Sequence, residues 1–180
     1  KVRFDNCFIE SKLIGKYNFP NIAAAVAIGR FFGVEEEKIK RAVENYIPSN
    51  NRSQIIEKAT NRIILDAYNA NPNSMQAALE NLAQLTDKNK VAILGDMFEI
   101  GPDSPKEHQY IADLVQKIDL KKVYLIGQNF SKAEVKNENT VQYSSFEEFK
   151  KNFNQAEIKD ATVLIKASRG MSLERVLELI

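Results

Sequence analysis

Three strings in the sequence gather groups able to bind and hold charge. Asp66-Ala67-Tyr68-Asn69-Ala70-Asn71-Pro72 carries a carboxylate and two amides. Gly95-Asp96-Met97-Phe98-Glu99 carries two carboxylates. Lys166-Ala167-Ser168-Arg169-Gly170 carries two cations and a hydroxyl. Each string follows an apolar run of strand character, and ligands of open α/β sheets sit beyond the carboxyl ends of the strands. Lys166 leaves its run just ahead of a helix expected to start near Met171. A cation beside free backbone N–H groups there makes an anion site.

Every one of these groups also has a plainer role open to it. Asn71 caps the helix that Pro72 begins. Asp96 and Glu99 serve as ordinary loop charges, Lys166 as a solvated lysine, and Arg169 as half of a surface ion pair, which is worth little. His108 falls in the first turn of a helix, where a protonated ring opposes the dipole, and reads as structural. Cys7 reads as a small buried hydrophobe, because no histidine lies near it in sequence to activate it. With one cysteine and one histidine in the chain, an intrachain disulfide and a Cys/His metal site are both excluded. No metal site is expected. Neither G-x-x-x-x-G-K-[ST] nor G-x-G-x-x-G occurs, so no phosphate-cradling glycine loop is present.

The elements that must carry these strings read as alternating strands and helices. Residues 62–66 and 90–95 are apolar strands, the second nearly continuous, as expected of a strand buried on both faces of a parallel sheet. Residues 123–126 form a third, 140–143 a fourth and 162–165 the last. Between them, Met75, Ala78, Leu79 and Leu82 mark one helix. Ile111, Leu114, Val115 and Ile118 mark a second, introduced by a capping box at Ser104-Pro105-Lys106-Glu107. Phe146, Phe149 and Phe153 mark a third, and Leu173, Val176, Leu177 and Ile180 a fourth. Such units predict a doubly wound, mainly parallel α/β sheet. Residues 1–50 read differently, as two short strands (2–4 and 7–9) and two helices, the first near Pro20 and the second carrying Ile39, Ala42, Val43 and Tyr46. Pro48-Ser49-Asn50-Asn51 is a linker signal that places a boundary between 1–50 and 51–180. No internal repeat or low-complexity segment occurs.

The 180 residues are 44% hydrophobic and 27% charged, ordinary values for a globular protein with a core of its own. Lys plus Arg is 25 against 24 for Asp plus Glu, a net charge of +1. That balance lacks the electrostatic footprint of a general nucleic-acid binder, so no nucleic-acid partner is expected. No apolar run reaches 18 residues, so no membrane span is expected. The opening Lys1-Val2-Arg3-Phe4-Asp5 is too polar for a signal peptide and lacks methionine. It reads as the inside of a strand, and the chain as a fragment of a longer, cytoplasmic protein.

The strings DAYNANPNSM (66–75), LGDMFEIG (94–101) and KASRGMSLE (166–174) resemble the C-terminal domain of the Mur ligases. Within that family they resemble the branch that joins D-alanyl-D-alanine to UDP-N-acetylmuramoyl-tripeptide. Gly15-Lys16-Tyr17-Asn18-Phe19-Pro20-Asn21-Ile22-Ala23-Ala24 is similar to the family's G-x-H-N-x-x-N-x-x-A segment, near the end of its central ATPase domain. Tyr17 stands where histidine is common and Ala167 where glycine is common. The second change adds one methyl group, tolerable where φ is negative.

The resemblance implies a Rossmann-like C-terminal domain (51–180) preceded by a remnant of the central domain (1–50), from a monomeric parent enzyme making peptidoglycan precursors. Its reaction is ATP- and Mg²⁺-dependent amide formation through an acyl phosphate, with the P-loop and Mg²⁺ ligands upstream. The fragment alone is then inactive and holds no cofactor. Asn18 and Asn21 would face the adenine, and Arg52 and Asp66 the ribose and phosphates. Asn69, Asn71, Ser74, Lys166, Ser168 and Arg169 would line the D-alanyl-D-alanine side. Two other readings share the architecture. A phospho-acceptor receiver requires an acidic pair at its first strand, which residues 54–59 do not offer. A folylpolyglutamate synthase-type ligase domain is disfavoured by the Tyr68-Asn69-Ala70-Asn71 string.

Overall fold

A computed structural model describes residues 2–4, 7–15 and 18–180. The chain divides into two compact units, 1–49 and 50–180.

In the first unit, β1 (Val2–Phe4) pairs antiparallel with β2 (Cys7–Ile9). Helices α1 (Phe19–Phe31) and α2 (Glu36–Asn45) follow and contact one another. Ile9, Ile22, Val26 and Ile39 form a small buried cluster. The helices approach so closely that a Cβ at Gly29 would lie 2.9 Å from the Ile39 side chain. An apolar groove of about 460 Å³ remains beside them, lined by Ile22, Ala25, Ile39, Ala42 and Val43 among others. Phe31 and Phe32 are exposed to 83% and 75%.

The second unit is a six-stranded sheet in the order β3-β4-β8-β5-β6-β7. Its members are β3 (Gln54–Lys58), β4 (Asn61–Asp66), β5 (Lys90–Gly95), β6 (Lys122–Ile126), β7 (Thr140–Tyr143) and β8 (Thr162–Lys166). All neighbours are parallel except β3, which turns back antiparallel onto β4 through a tight hairpin. The α/β, mainly parallel sheet expected from the sequence is therefore present, with one antiparallel edge strand the periodicity did not signal. Helices α3 (Pro72–Gln84), α4 (Ser104–Val115) and α5 (Phe146–Asn152) alternate with the strands. One face carries Ile63, Leu65, Val91, Ile93, Tyr124, Val163 and Ile165 against Phe146, Phe149, Leu173 and Val176. The intervening residues Ile64, Ala92, Leu94, Val123 and Leu164 are also buried. By the two-residue period of a strand they face the opposite side. Burial on both faces is why these strands read as unbroken apolar runs.

Two helix expectations are corrected. Ser104 does not cap α4. The N-cap position is Asp103, with no side-chain cap bond, because the preceding 3₁₀ turn Gly101–Asp103 runs directly into the helix and the Ser104 hydroxyl meets His108 Nδ1 instead. The helix expected near Met171 is replaced by two 3₁₀ segments, Arg169–Met171 and Leu173–Leu179. They are separated at Ser172, whose φ of 48° interrupts any continuous helix.

Candidate functional site

The parallel register of β4 and β8 sets Asp66 opposite Lys166 at the carboxyl end of the sheet. Lys166 Nζ donates to Asp66 Oδ2 at 2.6 Å and to the Asn69 carbonyl at 3.0 Å. The lysine side chain is 2% exposed and the aspartate 16%. A buried ammonium requires a partner of this kind, since desolvation of an unpaired charge is costly. Asp66 Oδ1 accepts the Ser53 backbone N–H at 3.1 Å. The pair thus ties the loop before β3 to the central strand. Lys166 is neither a solvated lysine nor set against a helix N-terminus; its charge is matched inside the protein.

Tyr68 lies just beyond β4. Its backbone N–H donates to the Asn51 carbonyl at 3.2 Å. The Arg52 guanidinium carbon stands 3.8 Å from the centre of the Tyr68 ring, and that of Arg169 stands 5.6 Å from it. Both arginines are exposed. Among the described residues neither guanidinium has a carboxylate partner or a hydrogen bond. Nothing in the local sequence signals this place for Tyr68, because an aromatic between polar residues carries no charge of its own.

Asn71 and Ser74 satisfy one another. Asn71 Oδ1 accepts the Ser74 N–H at 2.9 Å and Ser74 Oγ accepts the Asn71 N–H at 3.1 Å, a reciprocal cap at the start of α3. Asn69 Oδ1 accepts the following Ala70 N–H at 2.8 Å. Ser168 is 3% exposed. Its hydroxyl accepts the Phe98 N–H at 2.8 Å and faces the Ala70 carbonyl at 3.4 Å, so one oxygen joins the loops after β4, β5 and β8. Ala167 is fully buried and not at positive φ. Its methyl group occupies space that only a glycine at position 95 leaves open, since a Cβ there would approach it to 2.8 Å.

Asp96 is no ordinary loop charge. At 2% exposure its two oxygens accept the N–H groups of Asn129 and Phe130, each at 2.9 Å, and the Asn129 amide at 3.1 Å. A carboxylate accepting three N–H bonds needs no cation to be stable in the interior. Gly127, at φ 131°, gives the carboxylate room: a Cβ there would fall 2.3 Å from Asp96 Cγ. His108 is fully buried. Its Nε2 accepts the Met97 N–H at 3.0 Å and its Nδ1 donates to the Ser104 carbonyl at 2.7 Å. That pattern assigns the neutral ring with its proton on Nδ1, the structural role read from the sequence. Glu99 sits at φ 63° in the same loop.

In the first unit Asn18 is 7% exposed. Its amide donates to the Ile14 carbonyl at 2.6 Å and its oxygen accepts from the Asn21 amide at 3.1 Å. Lys16 and Tyr17 lie outside the described residues, and the contact expected at position 17 with them. Cys7 is half-buried rather than buried. Among the described residues no three His, Cys, Asp or Glu side chains converge as metal ligands, and no helix is long and apolar enough to cross a membrane.

Residues 51–169 match the family model described as "Mur ligase, glutamate ligase domain". The UDP-N-acetylmuramoyl-tripeptide–D-alanyl-D-alanine ligase of Treponema pallidum is 32% identical over 98% of this chain and 39% of its own length. A crystal structure of MurF from Acinetobacter baumannii superposes with a TM-score of 0.84 at 28% identity, covering 96% of this chain and 39% of that one. MurF from Thermotoga maritima in complex with ADP gives 0.74 at 25% identity, over 93% and 38%. The chain thus spans about 39% of the length of the relatives it matches. The match removes the receiver alternative, and its relatives lie in the branch that the Asn69-Ala70-Asn71-Pro72 string indicated. On the fold, the three loops and the extent of these matches, the chain belongs to the Mur ligase family.

Proposed function

We propose that this chain is the C-terminal part of a cytoplasmic, monomeric enzyme that joins D-alanyl-D-alanine to UDP-N-acetylmuramoyl-tripeptide at the expense of ATP. The observation that carries the reading is the pair of unpaired guanidiniums, Arg52 and Arg169, beside the buried Asp66–Lys166 pair at the carboxyl edge of the sheet. An acyl phosphate route places growing negative charge on phosphoryl and tetrahedral oxygens, and fixed cations at a sheet edge are suited to stabilise it. The ADP complex of the Thermotoga relative supports a nucleotide on this fold.

In this reading Arg52 and Asp66 serve the ATP side and Lys166, Ser168 and Arg169 the dipeptide side, with Asn69, Asn71 and Ser74 shaping the loop between them. Asn18 and Asn21 belong to the adenine side, and residues 1–50 to the end of the central ATPase domain. Exposed Phe31 and Phe32 and the apolar groove by α1 and α2 support that assignment, because such surface suits the interior of a larger domain. Among the described residues no group of three or more His, Cys, Asp or Glu side chains could hold Mg²⁺.

The test is steady-state kinetics of the full-length parent with tripeptide substrate, ATP and D-alanyl-D-alanine. Dipeptide-dependent phosphate release, lowered in Asp66→Ala with a raised KM for ATP, supports the proposal. A folded parent that releases no phosphate with these substrates, or an Asp66→Ala enzyme with unchanged kinetics, overturns it.

A further inference from the structure

We propose that Tyr68 is a positioning residue that holds the Arg52 and Arg169 guanidiniums together as one cationic pair for an oxyanion, a phosphate or carboxylate group of the ligand. The inference rests on the ligase reading only for the identity of that anion, and it joins at one group the two arginines that reading sets on the ATP and dipeptide sides.

The geometry is unusual in three respects. Two cations share one ring, at 3.8 and 5.6 Å from its centre. Neither has an acidic partner among the described residues, and the nearby carboxylate of Asp66 is already bound to Lys166 and the Ser53 N–H. The backbone at Arg52 is pinned on both sides. Asn51 and Ser53 are both in the left-handed region, at φ 57° and 48°. The Asn51 carbonyl accepts from Tyr68 and the Ser53 N–H donates to Asp66.

Two unneutralised guanidiniums repel, and free in water they would spread apart. Contact with one electron-rich ring offsets part of that repulsion and restricts where the two planar groups can lie. The pair is then pre-organised, so an oxyanion that bridges both arginines does not have to order them. The Tyr68 hydroxyl takes no part, for it has no hydrogen bond among the described residues. The function lies in the ring, and phenylalanine can supply it.

The experiment follows arginine Nε–H signals of the ¹⁵N-labelled chain by NMR during titration with inorganic pyrophosphate and, separately, with D-alanyl-D-alanine. Arg52 and Arg169 are expected to shift together with one of the probes, pyrophosphate placing the pair on the nucleotide side and the dipeptide on the carboxylate side. Tyr68→Phe should bind that probe within about twofold of the native chain. Tyr68→Leu should weaken it roughly 3- to 5-fold and remove the ring-current shift at Arg52. Arg169→Gln, a change at an exposed position, should weaken it at least as much while the Arg52 shift persists. Unchanged affinity in Tyr68→Leu or in Arg169→Gln overturns the proposal, as does a native chain in which neither probe moves both arginines. The titration requires no turnover. A chain that binds through both arginines while its parent forms no amide bond would sink the ligase reading and leave this one standing.

Discussion

Asp66 and Lys166 face each other across the parallel β4–β8 register with their charged atoms 2.6 Å apart. One carboxylate thereby neutralises the buried lysine and anchors the Ser53 amide. The rim's free positive charge lies instead on the exposed arginines.

The first prediction concerns that pair. Lys166→Met in this chain leaves the Asp66 carboxylate without its cation in a largely buried place. Breaking a buried pair from one side costs about 3–5 kcal/mol. Asp66→Asn combined with Lys166→Met should recover much of the loss, because no uncompensated charge remains. Urea titration of the two variants checks this; a single mutant as stable as the native chain would show the pair to be energetically idle.

A second prediction concerns Asp96. Asp96→Ala orphans the buried amide of Phe130, at about 1–3 kcal/mol for an unsatisfied group, and the half-buried amide of Asn129, at less. Gly127→Ala should be comparably harmful, since the new Cβ collides with the same carboxylate. Thermal melts should show both midpoints lowered, and a Gly127→Ala chain with a native midpoint would contradict the geometry.

Tyr124 gives a pH dependence. Its phenol is raised well above its ordinary value of 10.0, first by burial and then by its hydrogen bond to Glu157. The unfolded chain gives up this proton first as pH rises. Stability from this group is therefore full below about pH 10 and falls above it, by at most about 1.4 kcal/mol per pH unit. Glu157 is lowered, chiefly by the Tyr124 hydroxyl, so its contribution is present above the ordinary value of 4.5 and is lost as pH falls through its folded pKa. Urea midpoints should decline less steeply between about pH 10 and 11 in Tyr124→Phe than in the native chain. Equal slopes would remove Tyr124 as the cause.

Asn71→Ala should cost about 1 kcal/mol through loss of the α3 cap, and Asn71→Asp should restore most of it. Denaturant midpoints decide between this and a purely ligand-facing asparagine, whose removal would leave stability unchanged.

With no phosphate-cradling glycine string, this chain alone should release no phosphate from ATP above background with tripeptide and dipeptide present. Turnover there would require a nucleotide-activating site within these 180 residues.

The sequence made the parallel strands legible because burial on both faces leaves an unmistakable run such as Val91 to Leu94. It concealed β3, since the hairpin to β4 turns through Ala59 at φ 52° rather than through glycine or asparagine. The roles of Asp96 and Lys166 were likewise hidden. A carboxylate 33 residues from its amide partner and a lysine 100 residues from its aspartate become neighbours only when the strands are laid side by side. Ser104 misled because its side chain had a nearer competitor in His108 than the helix amides it was expected to cap. Tyr68 escaped notice for the converse reason. Its significance depends on two arginines distant from one another in sequence, and no local spacing announces them.

Gly95 and Ala167, finally, make one steric allotment serve two positions. Substitution there is a joint event: a lineage can exchange glycine and alanine between the two sites, but a methyl group added at one alone forces the strand ends apart. A chimera that takes the end of β5 from one relative and the loop after β8 from another inherits that constraint. Its success will turn on whether the two donors placed the methyl on the same side.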